Sequence, residues 1–533
     1  MPEITVMLEE GQQSIPFNAG QSLRDILDTT DFQVRSGCRG MGACGLCRVR
    51  IEAGKVRTPT SNEQMHFSSA QLAEGIRLAC QVIAEDDLQI TILSPARESG
   101  WRSPPHGIGR RGEPSSGFLP LNDLPGQIES PYGVAVDVGT THIHLSFHEL
   151  SNGQWVCSRY ALNPQMDFGS DVLTRLVAAS ESKKQARTLG QLAIKAIGEG
   201  LLDIATREGI NLQQVVRLVL VGNTAMLALL SGRNYELLLQ PRHWMSAVDC
   251  LPKGTKPWAE SWGIHPQARI ETISPLAGFV GSDLLAGVLT THLTKNEGGS
   301  LLIDFGTNSE IALWDGQILR ATSAAGGPAF EGCGISCGVP VEPGAIYDVR
   351  LKDGIFDYSI IAGSKPSGIC GSGLVDFIAN LVGSGSLNRL GQFTTTVPER
   401  GFELVRGDQN IVLNKRDVDM FQRAKAAIGV GIQVLLTQAG MRCADLRRIY
   451  VGGAFGRFLN VENAQAIGLL PMIQPDRVEL CGNIALAGCE EMLLSPAAVD
   501  SLKNLGSKTE IVNLSQCLDF EDIFLENLYL QPM

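Results

Sequence analysis

GVAVDVGTTHIHLSF, residues 133–147, returns at residues 301–314 as LLIDFGTNSEIALW. Asp137-x-Gly139-Thr140 aligns with Asp304-x-Gly306-Thr307, 167 residues further on. Each copy reads as an apolar strand, an Asp-x-Gly-Thr turn and a second alternating strand, which is a β-hairpin. Such a turn can wrap phosphate oxygens with backbone N–H groups and the hydroxyls of Thr140, Thr141 and Thr307. An aspartate at the strand end suits a hydrated Mg²⁺, which keeps most of its waters and takes few carboxylates. One such turn is common chemistry. Two in register at domain scale describe a duplicated unit whose halves grip a nucleotide's phosphates from both sides.

A second echo follows in each half. VVRLVLVGNTAMLALLSG (215–232) resembles LRRIYVGGAFGRFLN (446–460), each a buried strand running into a Gly-rich turn. Gly452, Gly453, Ala454, Phe455 and Gly456 would let backbone lie against a flat base or ribose. GICGSGLVDFIANLV (368–382) opens an apolar helix with Gly371, Ser372 and Gly373, a place able to bind anions. Asp283 either arranges Mg²⁺ or a catalytic water, or caps the helix that follows it. Glu310 and Glu331 are comparable candidates. His142, His144 and His148 alternate with Ile143, Leu145 and Phe147, so they read as the polar face of a half-buried strand. Cys333, Cys337 and Cys370 stand in Gly-rich loops without an evident fourth ligand for a cluster.

The N-terminal ninety residues carry different chemistry. SGCRGMGACGLCRVRI (36–51) holds Gly40-x-Gly42-x-x-Gly45 together with Cys38, Cys44 and Cys47. A dinucleotide fingerprint must follow a strand and open a helix; here the strand CRVRIEAG follows the glycines instead. The cysteines run C-x5-C-x2-C with Cys80 as fourth, close to the plant-type iron–sulfur spacing. Glycines that accept positive φ let such a loop close on a cluster. The rivals are structural thiols and zinc, whose usual pairing is two C-x2-C units. The flanking segments alternate as short strands.

Between these units, residues 95–131 are rich in Pro, Gly, Ser and charge and read as a flexible linker. The 533 residues carry a net charge of −12, which argues against a nucleic-acid partner. No apolar run reaches the roughly 18–20 residues of a membrane span. The N-terminus MPEITVMLEE is not a signal peptide, and thirteen cysteines then suggest a reducing cytoplasm.

From residue 132 onward the paired hairpins resemble the superfamily of acetate and sugar kinases, chaperones and actin. The resemblance implies an α/β, duplicated ribonuclease-H-like fold with ATP between its halves. It implies phosphate contacts at Asp137–Thr141 and Asp304–Asn308, and an adenosine motif at Gly452–Gly456. The longer strings NPQMDFGSDVLTR (163–175), VGNTAMLALL (221–230), PLAGFVGSDLLAGVL (275–289), AAGGPAFEGCGISCG (324–338) and GICGSGLVDF (368–377) sharpen it. With the cysteine loop ahead of them, they resemble the reductive activators of corrinoid proteins.

That resemblance implies a β-grasp 2Fe–2S ferredoxin-like domain at 1–94, the linker at 95–131, and an ATPase domain at 132–533 with lobes near 132–298 and 299–533. It implies a 2Fe–2S cluster, ATP and Mg²⁺ as cofactors. The partner it implies is a corrinoid protein of a methyltransferase system, restored from Co(II) to Co(I) by one electron. The upstream donor stays unnamed and a homodimer stays open. Relatives of this kind carry a middle domain ahead of the ATPase unit, for which the chain leaves little room. Two other functions fit the motifs: a small-molecule kinase regulated by a fused redox domain, and an electron carrier whose C-terminal unit only docks partners.

Overall fold

Alternating apolar residues from Glu3 onward set the first of the three largest sheets. The structure, a computed structural model, describes residues 1–533 except 9–10, 31, 35–37, 39, 43, 46, 96–99, 105–127, 170, 333, 364, 395–396, 398–400, 407–409, 454, 456–457 and 507. Among the described residues, Gly11–Pro16, Glu3–Leu8, Leu88–Ile92, Arg48–Ala53 and Ile76–Leu78 lie side by side in that order. Glu3–Leu8 runs parallel to Leu88–Ile92, and the other neighbours are antiparallel. Ile4, Val6, Val49 and Ile90 share a core with Leu23, Ile26 and Leu27 of a short helix, Leu23–Leu27. Each such aliphatic side chain, fully buried, contributes roughly 1.5–3 kcal/mol.

The other two sheets repeat one plan. In the first lobe the order is Trp155–Leu162, His142–Glu149, Tyr132–Val138, Val215–Gly222, Arg269–Thr272. In the second it is Leu319–Ala324, Ser309–Trp314, Ser300–Phe305, Arg448–Gly453, Val478–Gly482, with Thr509–Ile511 added outside Leu319–Ala324. Three strands meander antiparallel, then the fourth and fifth run parallel to the first. Val215–Gly222 is buried along its whole length, as a central parallel strand must be. This is the duplicated ribonuclease-H-like architecture.

Two helices join the lobes. Ser282–Thr290 leads out of the first lobe, and Ile484–Leu494 leaves the last parallel strand of the second. They cross with backbones touching, since a Cβ on Gly488 would lie 2.0 Å from the Ala286 carbonyl oxygen. Ile484–Leu494 also packs on the first lobe's sheet, where Cys489, Met492 and Leu493 share a core with Ala135 and Val219. Arg217 of that sheet donates to the carbonyls of Met492 and Leu493, satisfying the helix's last turn.

The linker is not uniformly free. Residues 96–99 and 105–127 lie outside the described residues, but between them Trp101 is buried in the first lobe's core. Arg102 exchanges backbone hydrogen bonds with Tyr160 at the sheet edge. The expectation of a free tether is corrected at these two residues. Upstream, Pro95 bridges to Val34, and Cys38 of the cysteine loop bridges to Asn211 of the first lobe. No helix among the described residues is long and apolar enough to cross a membrane.

Candidate functional site

The duplicated sheets bring the two hairpin turns face to face across a cavity of about 710 Å³. Thr141 Oγ1 and Thr307 Oγ1 are 3.0 Å apart, one from each lobe. Both hydroxyls donate to Glu331 Oε2, at 3.1 and 2.6 Å. Gly139, Thr140, Gly306 and Asn308 line the same space with Asp137, Asp283 and Asp304. Gly371 lines it too, at the start of the helix Gly371–Gly383, whose Cys370 cap offers no side-chain hydrogen bond.

The floor of the cleft is a cluster of carboxylates. Burial pushes Asp304 well above the ordinary carboxylate range, and the charges of Asp283, Asp137 and Glu331 push it further. Glu310 is raised the same way, by burial and by Asp283. Asp283 rises to about 6, through burial first and Asp137 second. Glu310 Oε2 is buried without a hydrogen-bond partner. So many buried like charges need protons or a cation to offset them. The donor set is hard oxygen, the chemistry that suits Mg²⁺.

Asp137 is held differently. Asn483 Nδ2 donates to its Oδ2 at 3.0 Å, and His144 Nδ1 lies 3.4 Å from the same oxygen. Asn483 also caps the helix Ile484–Leu494 by accepting from the Leu486 N–H. Asn223 is its counterpart: it caps Thr224–Ser231 and donates to Thr140 Oγ1 at 2.7 Å. Neither asparagine stood out in sequence. The signal was there as Gly222-Asn223-Thr224-Ala225 and Gly482-Asn483-Ile484-Ala485.

Several expectations change. Asp283 is not the helix cap: Gly281 holds that position, and Asp283 sits in the first turn with its carboxylate at the cleft. Phe455 is fully buried against Phe305 and Phe330, so its ring serves the core and only backbone in this stretch can face a base. Ser372 donates to the Tyr347 carbonyl, and Gly373 abuts the Ile346 carbonyl, so only Gly371 of that trio reaches the cleft. Ala454 and Gly456 lie outside the described residues, as does Cys333. Gly452 and Gly453 stand behind Asp304; a Cβ on Gly453 would come within 2.5 Å of Asp304 Oδ1. His142 and His144 do alternate, half-buried, with buried Ile143 and Leu145, and their face lines the cavity and packs with Tyr160. His148 is buried beside Ser146 and Glu490.

The cysteine loop closes on itself. Cys38, Cys47 and Cys80 are buried and Cys44 is half-buried. Cys80 and burial push the Cys47 thiol up, and Cys47 holds the Cys80 thiol down. Gly40, Gly42 and Gly45 all take positive φ. A side chain on Gly42 would collide with Asn62 and Gln81, which hold the loop through the carbonyls of Met41 and Gly40. Three buried thiols and one half-buried one on a glycine-rich loop are the donor set of a 2Fe–2S cluster, which takes two thiolates on each iron.

Three family models match the chain. They are a 2Fe-2S iron-sulfur cluster binding domain over residues 6–85, the RACo middle region over 132–296, and the C-terminal domain of RACo, the ASKHA domain, over 299–533. The middle-region match corrects the expectation that the chain lacks this part, because it falls on the first lobe itself. Corrinoid activation enzyme RamQ of Eubacterium limosum is 30% identical over 438 residues, covering 77% of this chain and 72% of that protein. A reductase of Methanosarcina barkeri, named for a Co(II) methylated amine-specific corrinoid protein, is 25% identical over 71% of this chain and 72% of its own. The solved structure titled "Reductive activator for corrinoid,iron-sulfur protein" aligns with a TM-score of 0.71 at 24% identity, over 100% of this chain and 99% of that one.

Proposed function

The chain belongs to the family of corrinoid activation enzymes, and on that premise we propose that it is an ATP-dependent reductive activator of a corrinoid protein. It passes one electron from a 2Fe–2S cluster to inactive Co(II), giving the Co(I) that methyl transfer requires. The observation that carries this reading is the meeting of two Asp-x-Gly-Thr turns in one cleft, on a chain whose residues 6–85 match a 2Fe-2S cluster binding domain. Co(I) is a strong reductant, and each 59 mV or so opposing a one-electron transfer lowers its equilibrium about tenfold. Nucleotide binding or hydrolysis offsets that gap by a conformational change.

In this reading residues 1–94 carry the electron and the lobes 132–298 and 299–533 carry the nucleotide. Cys38, Cys44, Cys47 and Cys80 would hold the cluster, which supplies one-electron chemistry. Asp137, Asp283, Asp304 and Glu310 would hold Mg²⁺, which neutralises phosphate charge. Thr140, Thr141, Thr307 and Asn308, with the N–H groups around Gly139, Gly306 and Gly371, bind phosphate oxygens. Gly452 and Gly453 leave room for the nucleoside. Phosphate competes with the Thr141–Thr307–Glu331 contact, so binding shifts the two lobes relative to one another. The thiol-rich composition favours a cytoplasmic setting.

The test mixes the cluster-loaded protein, a reductant, Mg²⁺–ATP and a panel of Co(II) corrinoid proteins, following Co(I) absorbance and phosphate release. ATP-dependent Co(I) formation with one panel member is expected. Equal Co(I) formation without ATP would make the chain a plain carrier. Transfer of phosphate to an added acid or sugar would make it a kinase.

A further inference from the structure

Trp101 and Arg102 sit at a junction that neither the cluster loop nor the nucleotide cleft explains. The Trp101 indole fills a pocket in the first lobe that exists because residue 200 is glycine: a Cβ there would lie 2.7 Å from the ring. Arg102 gives its N–H to the Tyr160 carbonyl at 2.8 Å and accepts the Tyr160 N–H at 2.9 Å, extending the first lobe's sheet by one residue. Its guanidinium crosses to the second lobe, where Nη1 is 3.1 Å from Glu342 Oε2. The Tyr160 ring stacks on His144, which stands 3.4 Å from Asp137 at the hairpin turn. Ser103 and Pro104, next along the chain, line the cleft itself.

The same residues set how far the cluster can travel. From Pro95, which pairs with Val34, to Trp101 the chain can span at most about 20 Å. With Trp101 seated, the cysteine loop stays near the first lobe, where Cys38 meets Asn211. With Trp101 released, the ceiling becomes the whole stretch from Pro95 to Tyr132, about 130 Å. One anchor therefore decides between a parked cluster and one that can reach a partner.

We propose that Trp101 and Arg102 form a strap that couples the two lobes to the leash of the cluster domain, positioning the cluster for the reaction. Nucleotide that shifts the lobes pulls Glu342 away from Arg102 and disturbs Tyr160 through His144, loosening the strap. The proposal rests on the nucleotide reading above. Arg102 and Glu342 touch neither the phosphate turns nor the carboxylates, so their part is positioning, not catalysis. An exposed ion pair of this kind contributes up to about 1 kcal/mol, which limits the coupling it carries to a few-fold.

The test uses the full chain with its cluster in place. Hydrogen exchange of peptides containing Arg102 and Tyr160 is measured without nucleotide and with a non-hydrolysable Mg²⁺–ATP analogue, alongside calorimetric binding of that analogue. Exchange at both is expected to quicken about threefold on binding. Arg102→Ala and Glu342→Ala should exchange fast already without nucleotide and release phosphate at the wild-type rate. Their ratio of Co(I) formation with ATP to that without should fall about threefold, and exchanging the two charges (Arg102→Glu with Glu342→Arg) should restore it.

Unchanged exchange in a protein that binds the analogue overturns the strap. So does a wild-type ratio in both alanine variants. A protein that binds no analogue loses the nucleotide reading and the strap together. One whose strap responds while no corrinoid is reduced keeps the strap and loses the corrinoid assignment.

Discussion

Asp137 and Asp304 occupy the same place in two copies of one fold, at the end of the first strand and the start of the same turn. Their surroundings differ. Asp137 receives Asn483 Nδ2 at 3.0 Å and has His144 at 3.4 Å. Asp304 is backed by Gly452 and Gly453 and ringed by Asp283, Asp137 and Glu331, so burial and repulsion lift its carboxyl well above the usual range. Duplication supplied two identical frames, and side chains from elsewhere made one aspartate compensated and the other uncompensated. The second-lobe aspartate is the one whose buried charge has no offsetting partner among these contacts. The first is already oriented.

The largest test of that difference substitutes each in turn. Asp304→Asn should lower phosphate release by two to three orders of magnitude, the scale seen when one preorganised charge is lost from a reacting centre. The same change removes a buried repulsion, so the nucleotide-free protein should melt at a higher temperature. Asp137→Asn should also lose turnover, but with a smaller gain in melting temperature, since relief of the repulsion on Asp283 and Asp304 is offset by the weakened Asn483 contact. Matching melting shifts for the two variants would erase the distinction. Stability gained as activity is lost marks a site held under electrostatic strain.

The asparagines sharpen the comparison at a smaller scale. Asn483→Ala removes both the donor to Asp137 and the cap of Ile484–Leu494, the helix that joins the lobes. A lost cap costs about 1–2 kcal/mol, and freeing Asp137 should slow phosphate release about tenfold, or 1.4 kcal/mol of barrier. Asn223→Ala removes the equivalent cap but frees only a threonine hydroxyl, so its turnover should fall less. Thermal melting and phosphate release on the pair check this. An equal loss of turnover in both would mean that the capping role alone matters.

How much of this the sequence disclosed follows from how local each cause is. The hairpins were legible because strand alternation and turn chemistry are written within fifteen residues, and their recurrence made them more than turns. The cysteine loop was legible for the same reason. The burial of the Phe455 ring was not legible, because Phe305 and Phe330, far away in sequence, decide it. Asn483 was missed because the echo was drawn from fourth strand to fourth strand, while its Gly-Asn-x-Ala follows the fifth. Trp101 stood alone in a stretch rich in Pro, Gly and Ser. Its pocket depends on Gly200, which no local pattern connects to it.

The smallest effect separates the carboxylates by pH. Asp283 titrates near 6 when folded, above its ordinary 3.8, chiefly through burial and then through the Asp137 charge. The folded protein thus holds more protons than the unfolded one between about pH 4 and 6. The stability this gives is full below pH 4 and is lost as pH rises through 6. Asp283→Asn is permanently uncharged and escapes that loss. The stability of the variant relative to wild type should therefore climb by roughly 1 kcal/mol or more between pH 4 and 7.5, a part of the roughly 3 kcal/mol that the rise from 3.8 to about 6 represents. Saturating Mg²⁺ should reverse the sign at pH 7.5, because a cation rewards the ionised carboxylate that the variant lacks. Thermal melting of both proteins at the two pH values, with and without Mg²⁺, reads all four terms. A difference that stays flat with pH would show that Asp283 carries no uncompensated charge, and the contrast between the lobes would then rest on Asp304 alone.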